Sequence, residues 1–302
     1  MFENFPTHII VGLDGSRLAE SALPAARALA RALGARVTLV HVLEAEPPET
    51  IHGEPHLTTT AQAQAYLEEA AQRLAREGVD VATHVHEDPQ RHVVAGIAAH
   101  ADELNADLIV LCAHGSGGLQ SWFAGRTVQR VIAHSNRPVL VVPASAAGDL
   151  GTYRRFLLPV DQYGEAQQAL PFAKRLAVAL RAEVVLLTVV PTGDNMPGDA
   201  GVAGVFLPRT AATLLKFAEE EARATLERIS GELATEGLTV VADVRRGDPA
   251  REILQAISGF AVDLVVMATH ARLGLDGLWA GSVGPRILGA APCPVLVVPI
   301  RS

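Results

Sequence analysis

Lysine is almost absent. Of the 25 basic residues only Lys174 and Lys216 are lysine, and neither lies in a glycine loop, which excludes a Walker-type phosphate lysine. Cysteine is as scarce: Cys112 and Cys293 fall at non-equivalent places in an internal repeat, one inside an apolar run and one just before another. That placement argues against a disulfide and for thiols used as small buried apolar groups. Although 49% of the residues are hydrophobic, no uninterrupted apolar run has the length needed to span a bilayer, so no membrane partner is expected. The start, MFENFPTHII, lacks a basic region followed by an apolar one, which indicates no signal peptide and a cytoplasmic location. An excess of positive charge is missing too. The formal charge is −8, with 10 basic against 16 acidic side chains in residues 1–147 and 15 against 17 in the rest, and an acidic surface disfavours nucleic acid as a partner.

What is present is a repeat. Residues 106–143, ADLIVLCAHGSGGLQSWFAGRTVQRVIAHSNRPVLVVP, recur without a gap as residues 262–299, VDLVVMATHARLGLDGLWAGSVGPRILGAAPCPVLVVP. Asp107 and Asp263, His114 and His270, Gly118 and Gly274, Gly125 and Gly281, and Pro143 and Pro299 are each 156 apart. A constant offset means one folding unit used twice. The 302 residues therefore divide into two domains of ordinary size, 1–146 and 153–302. The connecting segment 144–153, ASAAGDLGTY, reads as a short flexible linker.

Each copy reads as strand, glycine loop, helix, strand. The short apolar run 108–112 suits a parallel strand covered on both faces, residues 127–134 carry helical spacing, and Pro138 stops that helix before strand 139–142. Upstream come strand 8–13, a helix 17–33 capped by Asp14 or Ser16 in which Pro24 marks a kink or a late start, and strand 37–43. Helix 61–77, strand 81–86 and a helix opened by Asp88-Pro89 follow. The alternation is that of an α/β doubly wound parallel sheet. Residues 44–60 make a connection longer than most, carrying His52 and His56. The second round repeats the first at an offset of 147 through strand 184–190 and of 160 at Asp248-Pro249, putting 13 extra residues between strands two and three. Residues 192–208, TGDNMPGDAGVAGVFLP, fit a surface insertion better than a lid.

In such a sheet a ligand binds beyond the carboxyl ends of the strands where strand order reverses, between strands one and four. Asp14 ends strand one and Gly115 to Gly118 follow strand four; Asp161 and residues 271–274 are the counterparts. A carboxylate facing exposed N–H groups at a helix start suits a nucleotide, with base and ribose on one side and phosphates on the other. With these residues in place the chain resembles the universal stress protein family in its tandem form, over essentially the whole of both halves. Nucleotide-binding members of that family carry G-x-x-G, a spacer and G-[S/T] after strand four, an aspartate ending strand one, and a hydrophobic residue on strand two against adenine. The resemblance implies an adenine nucleotide alpha hydrolase-like fold, five parallel strands in order 3-2-1-4-5 in each half. It also implies binding of ATP, or of ADP or AMP, with Mg2+ accompanying ATP, in a stress or signalling role with a homo-oligomeric or other protein partner. The residues implied are Asp14, Val42, Gly115, Gly118, Gly125, Arg126 and Thr127, and in the second half Asp161, Val189, Arg272, Gly274, Gly281 and Ser282.

Neither half matches the pattern fully. Arg126 stands where Ser or Thr is expected, as a bidentate phosphate clamp or as a solvated first-turn arginine. Ala271 replaces a glycine whose lost freedom Arg272 would offset. Asp14 and Asp161 read as ligand carboxylates or as helix caps. Ten of the eleven histidines fall in the first half. His84 and His86 share a strand face, but without a third ligand at suitable spacing no metal site is assigned. His114 and His270 suit hydrogen bonds to the loop backbone better than catalysis. At most weak ATP hydrolysis is expected, because no carboxylate is placed to orient water at a γ-phosphate; a slow ATPase and a nucleotide-free scaffold are the alternatives. The apolar segments 138–143 and 294–300 would leave exposed edges, so they are expected to pair with each other as an intramolecular pseudo-dimer.

Overall fold

The computed structural model describes residues 6–44, 47–86, 93–113, 125–146, 153–161, 164, 166–190, 192, 208–269 and 283–300. In the first half the strands are β1 (His8–Gly12), β2 (Arg36–Val42), the two-residue β3 (Thr50–Ile51) and β4 (Glu54–Pro55), β5 (Val81–His86), β6 (Leu108–Ala113) and β7 (Val139–Pro143). The second half contributes β8 (Arg155–Pro159), β9 (Glu183–Val190), β10 (Val240–Arg246), β11 (Leu264–Thr269) and β12 (Val295–Pro299). Ten of these form one sheet in the order β10-β9-β8-β11-β12-β7-β6-β1-β2-β5. Each half thus has the order 3-2-1-4-5, with parallel neighbours throughout. At the seam β7 and β12 run antiparallel, Leu140 opposite Leu296 between the pairs Val141–Val295 and Val139–Val297. The two apolar edges cover each other, as unpaired strands of this composition require.

Eight helices are described: α1 (Leu23–Leu33), α2 (Thr60–Arg76), α3 (Val93–Glu103), α4 (Gly125–His134), α5 (Leu170–Leu180), α6 (Pro208–Ala234), α7 (Pro249–Gly259) and α8 (Val283–Ala290). Alternate strand residues feed two apolar layers. Ile9, Val11, Leu108, Val110, Leu140 and Leu296 join side chains of α1, α2, α5 and α6 on one face. Ile10, Ile109, Leu111, Val141 and Val297 join those of α3, α4, α7 and α8 on the other. Both layers run unbroken across the seam. Pro24 and Pro171 mark late starts: each sits in the first turn of its α-helix, α1 or α5, preceded by a 3₁₀ turn, because proline needs no N–H there. α2 opens with a capping box between Thr59 and Gln62. Asp248 caps α7 by accepting from Arg251 N and also takes both terminal nitrogens of Arg286 on α8, at 2.7 and 2.8 Å. That guanidinium first, and the Arg251 N–H second, hold its carboxyl below the usual range.

Three expectations need correction. The linker is anchored at its far end: Tyr153 is 3% exposed and packs in the first apolar layer. The 13 extra residues are split. Val37 and its partner Val81 are 44 apart, Val184 and Val240 are 56 apart, so twelve precede β10 and the thirteenth falls after it, at Gly247 with φ +145°. Residues 49–57 are not an irregular loop. β3 and β4 form a small hairpin whose turn, His52-Gly53, has positive φ at both residues (52° and 82°), the backbone that right-twisted strands need. The repeated aspartates of the two long copies serve at the opposite end of the sheet. Asp107 accepts from Thr7 N and His8 N, and Asp263 from Arg154 N and Arg155 N, tying the starts of β1 and β8 to strand four.

A candidate nucleotide crevice at the strand ends

The switch point lies where β1 has β2 on one side and β6 on the other. Beyond β1 the chain stays in the ladder for one residue, Leu13 N donating to Val40 O, and then turns at Asp14. One carboxylate oxygen, Oδ1, accepts from Ser16 N at 2.9 Å and Ser16 Oγ at 2.6 Å, while Ser16 Oγ accepts from Ala19 N. The other, Oδ2, lies 3.6 Å from His52 Nε2. Gly15 (φ +94°) completes the turn. A Cβ there would meet Leu57 at 2.8 Å, so the segment after the hairpin rests directly on the glycine backbone. Glu54 ties the hairpin down through Arg17 N at 2.6 Å. Burial pushes the Cys112 thiol on β6 up to about 12, and the Asp14 charge adds to the rise.

The turn is pinned from the next strand, and the two halves do it with different chemistry. His41 on β2 uses Nδ1 to bond Leu13 O at 2.8 Å. Thr188 on β9, at the equivalent position, donates Oγ1–H to Val160 O at 3.0 Å. Each holds the carbonyl just before the aspartate, Asp14 in one half and Asp161 in the other. Burial lowers the pKa of His41, the nearby His56 adds to this, and the Leu13 carbonyl opposes it. His41 therefore serves as a neutral ring.

Asp14 and the start of α4 lie at the same end of the sheet, beyond the carboxyl ends of β1 and β6: Gly125, Arg126 and Thr127 open α4, whose first turn leaves N–H groups without helical acceptors. Of the second-half set, Asp161 and Val189 fall among the described residues, Asp161 just beyond β8. Val42 is buried in the second apolar layer, against Gly96 of α3, and Val189 packs half-buried on the same layer. Gly115, Gly118, Arg272, Gly274, Gly281 and Ser282 lie outside the described residues. His41, Glu54 and Leu57 escaped the sequence reading, and His52 stood there only as part of the long connection. The His-Gly turn inside 44–60 was the available signal, since a two-residue loop with glycine second marks a hairpin.

No helix among the described residues is long and apolar enough to cross a membrane. The family model described as "Universal stress protein family" matches residues 6–143 and again 152–299. A universal stress protein of Mycolicibacterium smegmatis is 26% identical over 303 aligned positions, covering 96% of each chain. One from Synechocystis is 35% identical over 136 residues, 45% of this chain and 84% of its own. Among solved structures, a universal stress protein from Archaeoglobus fulgidus matches with a TM-score of 0.66 at 16% identity, covering 96% of this chain and 95% of that one. Two family-model matches in tandem, a full-length relative and a shared architecture agree: the chain belongs to the universal stress protein family.

Proposed function

We propose that each crevice binds an adenine nucleotide, ATP or its relatives ADP and AMP, with Mg2+ accompanying ATP, and that occupancy is read by a protein partner in a cytoplasmic stress response. The observation that carries this reading is the repeated placement of Asp14 and Asp161, each on a turn whose preceding carbonyl is held from the neighbouring strand. Two unlike side chains reaching the same carbonyl mark a position worth fixing beyond local capping. The donor set fits the ligand. A carboxylate accepts from ribose hydroxyls, and the opening turn of α4 offers N–H groups and a favourable dipole to phosphate. Gly115, Gly118, Gly125, Arg126 and Thr127, with Arg272, Gly274, Gly281 and Ser282 in the second half, would hold the phosphates; Val42 and Val189 would support the base. Nucleotide supplies charge to be read, and these residues bind and orient it.

Titration calorimetry of the full chain with ATP, ADP and AMP tests the proposal, with Asp14→Ala, Asp161→Ala and the double variant. Binding that weakens stepwise and vanishes in the double variant is expected, with phosphate release remaining slow. Saturation at about 100 Kd adds about 2.7 kcal/mol of stability for each occupied crevice. No binding would return the protein to the scaffold alternative, and identical binding heats for wild type and double variant would overturn the site built on Asp14 and Asp161.

A further inference from the structure

We propose that the first half carries a transition-metal site of the zinc type, formed by His84 and His86 on the edge strand β5 and His100 on α3. One ring nitrogen from each lies within 4.8 Å of one from each of the others. His84 and His86 alternate on β5 opposite Val40 and Val42, so both point into the layer beneath α3. Gly96 brings the third ligand in. A Cβ there would meet Val42 at 3.1 Å and lies 3.5 Å from the His86 ring, so the missing side chain lets α3 settle on β2 and β5. His100, one turn further along the same helix face, then reaches both histidines, with ring centroids 4.5 Å from His84 and 4.3 Å from His86.

The chemistry favours a cation. His100 is 3% exposed, and its Nε2 lies 2.5 Å from His86 Nδ1. Nε2 of His86 is buried without a hydrogen-bond partner. Nδ1 of His100 is 2.9 Å from Glu103 Oε2, though poorly aligned for a hydrogen bond. A carboxylate behind a ligating imidazole is the arrangement that orients histidines on metals. The second half shows what these positions look like when they need no ion. By strand register His84 and His86 correspond to Asp243 and Arg245, an ion pair 2.7 Å apart, and α7 supplies buried Ala256 in place of His100. There opposite charges satisfy each other; here three imidazole rings converge. Three histidines with an open fourth position suit Zn2+. An ion replacing the proton shared by His86 and His100 would spread their nitrogens to about 3.3 Å, the separation set by tetrahedral bonds near 2.05 Å. Because β5 is the sheet edge, an ion can enter from solvent.

The test uses the full chain without an affinity tag, stripped by chelator and titrated with Zn2+ by calorimetry and with Co2+ by visible absorption. Expected are one ion per chain, the intense visible bands of tetrahedral Co2+, and a Zn2+-dependent rise in melting temperature. His84→Ala and His86→Ala should each weaken binding by about 100-fold or more, and Glu103→Gln by about 10-fold. His134→Ala, on α4, should leave it unchanged. Circular dichroism checks each variant, and if His100→Gln does not fold, the half-exposed His84→Ala decides. Zn2+ binding of equal affinity in the His84→Ala/His86→Ala double variant, absence of binding in the wild type, or only the weak bands of octahedral Co2+ would overturn the proposal.

Discussion

Leu140→Ala at the seam asks whether the molecule is one cooperative unit or two domains that touch. Leu140 and Leu296 are each 1% exposed and face each other across β7 and β12, in an apolar layer that continues into both halves. Removing three buried carbons costs about 2–5 kcal/mol, because the transfer energy is lost and the surrounding strands close the cavity only partly. The melting shift depends on the size of the unfolding unit. At about 2.1 cal/mol/K per residue, 302 residues unfolding together fall by about 1.6 °C per kcal/mol, and half that number by about 3.2 °C. One unit therefore predicts a single transition lowered by about 3–8 °C, with van 't Hoff and calorimetric enthalpies equal. Independent halves predict one transition lowered by about 6–16 °C beside another that stays put, and a van 't Hoff enthalpy near half the calorimetric one. Leu296→Ala should mirror Leu140→Ala, and the double variant should depart from additivity by about 0.5–3 kcal/mol, since the side chains share one cavity. Scanning calorimetry showing a second, unmoved transition in Leu140→Ala would refute the single-unit account.

Two further predictions concern the first crevice. His41 is held neutral, its pKa depressed by burial, so the unfolded chain takes up a proton below about pH 6.5 that the folded chain refuses. Its contribution is complete above that pH and is lost as pH falls. His41→Thr, which installs the solution seen at Thr188, should flatten the decline in denaturant midpoint between about pH 7 and 5; His100, shifted in the same sense, is present in both proteins and cancels. An equal or steeper decline in the variant would count against this account. Gly15→Ala forces a Cβ to within 2.8 Å of Leu57 at φ +94°, at a cost of about 1–3 kcal/mol. Hydrogen exchange should then rise at residues 49–57 while the central strands keep their protection, and unchanged exchange there would show that the hairpin does not depend on the glycine.

Where local pattern and repetition agree, the sequence was sufficient. Apolar runs such as LIVLC can be buried on both faces only in a covered parallel sheet, and the 156-residue offset doubles every inference. The seam was legible because two short apolar strands would otherwise have stood open at the edges. What escaped depends on distances that no local pattern encodes. Tyr153 looks like linker by composition, yet the layer beneath α1 and α5 has room for its ring. His100 lies 14 residues from His86 on a different kind of element, and nothing in the spacing says that Gly96 draws the helix close enough for contact. Of the candidate nucleotide site, the aspartates were legible from their strand-end positions. The side chains that hold their turns were not, because His41 and Thr188 share no chemistry except the ability to reach a carbonyl.

That last pair bears on how the halves came to differ. A duplicated backbone poses each packing problem twice, and a solution is constrained only by what the position must do. At 41 and 188 the need is one hydrogen bond to a buried carbonyl, and either a ring nitrogen or a hydroxyl meets it. At 84, 86 and 100 against 243, 245 and 256 the needs themselves diverge. Arg245 pairs with Asp243, donates to the Glu252 carbonyl with the Glu252 carboxylate 3.9 Å away, and lies 5.7 Å above the Phe260 ring, so that end of the sheet is satisfied by the chain's own groups. Among the described residues the three histidines have one carboxylate at hand, Glu103, and it reaches only His100, so protonating a second ring would repel the first. The same place in the fold is self-sufficient in one half and electron-rich in the other, and so a cation is expected on the β5 side alone.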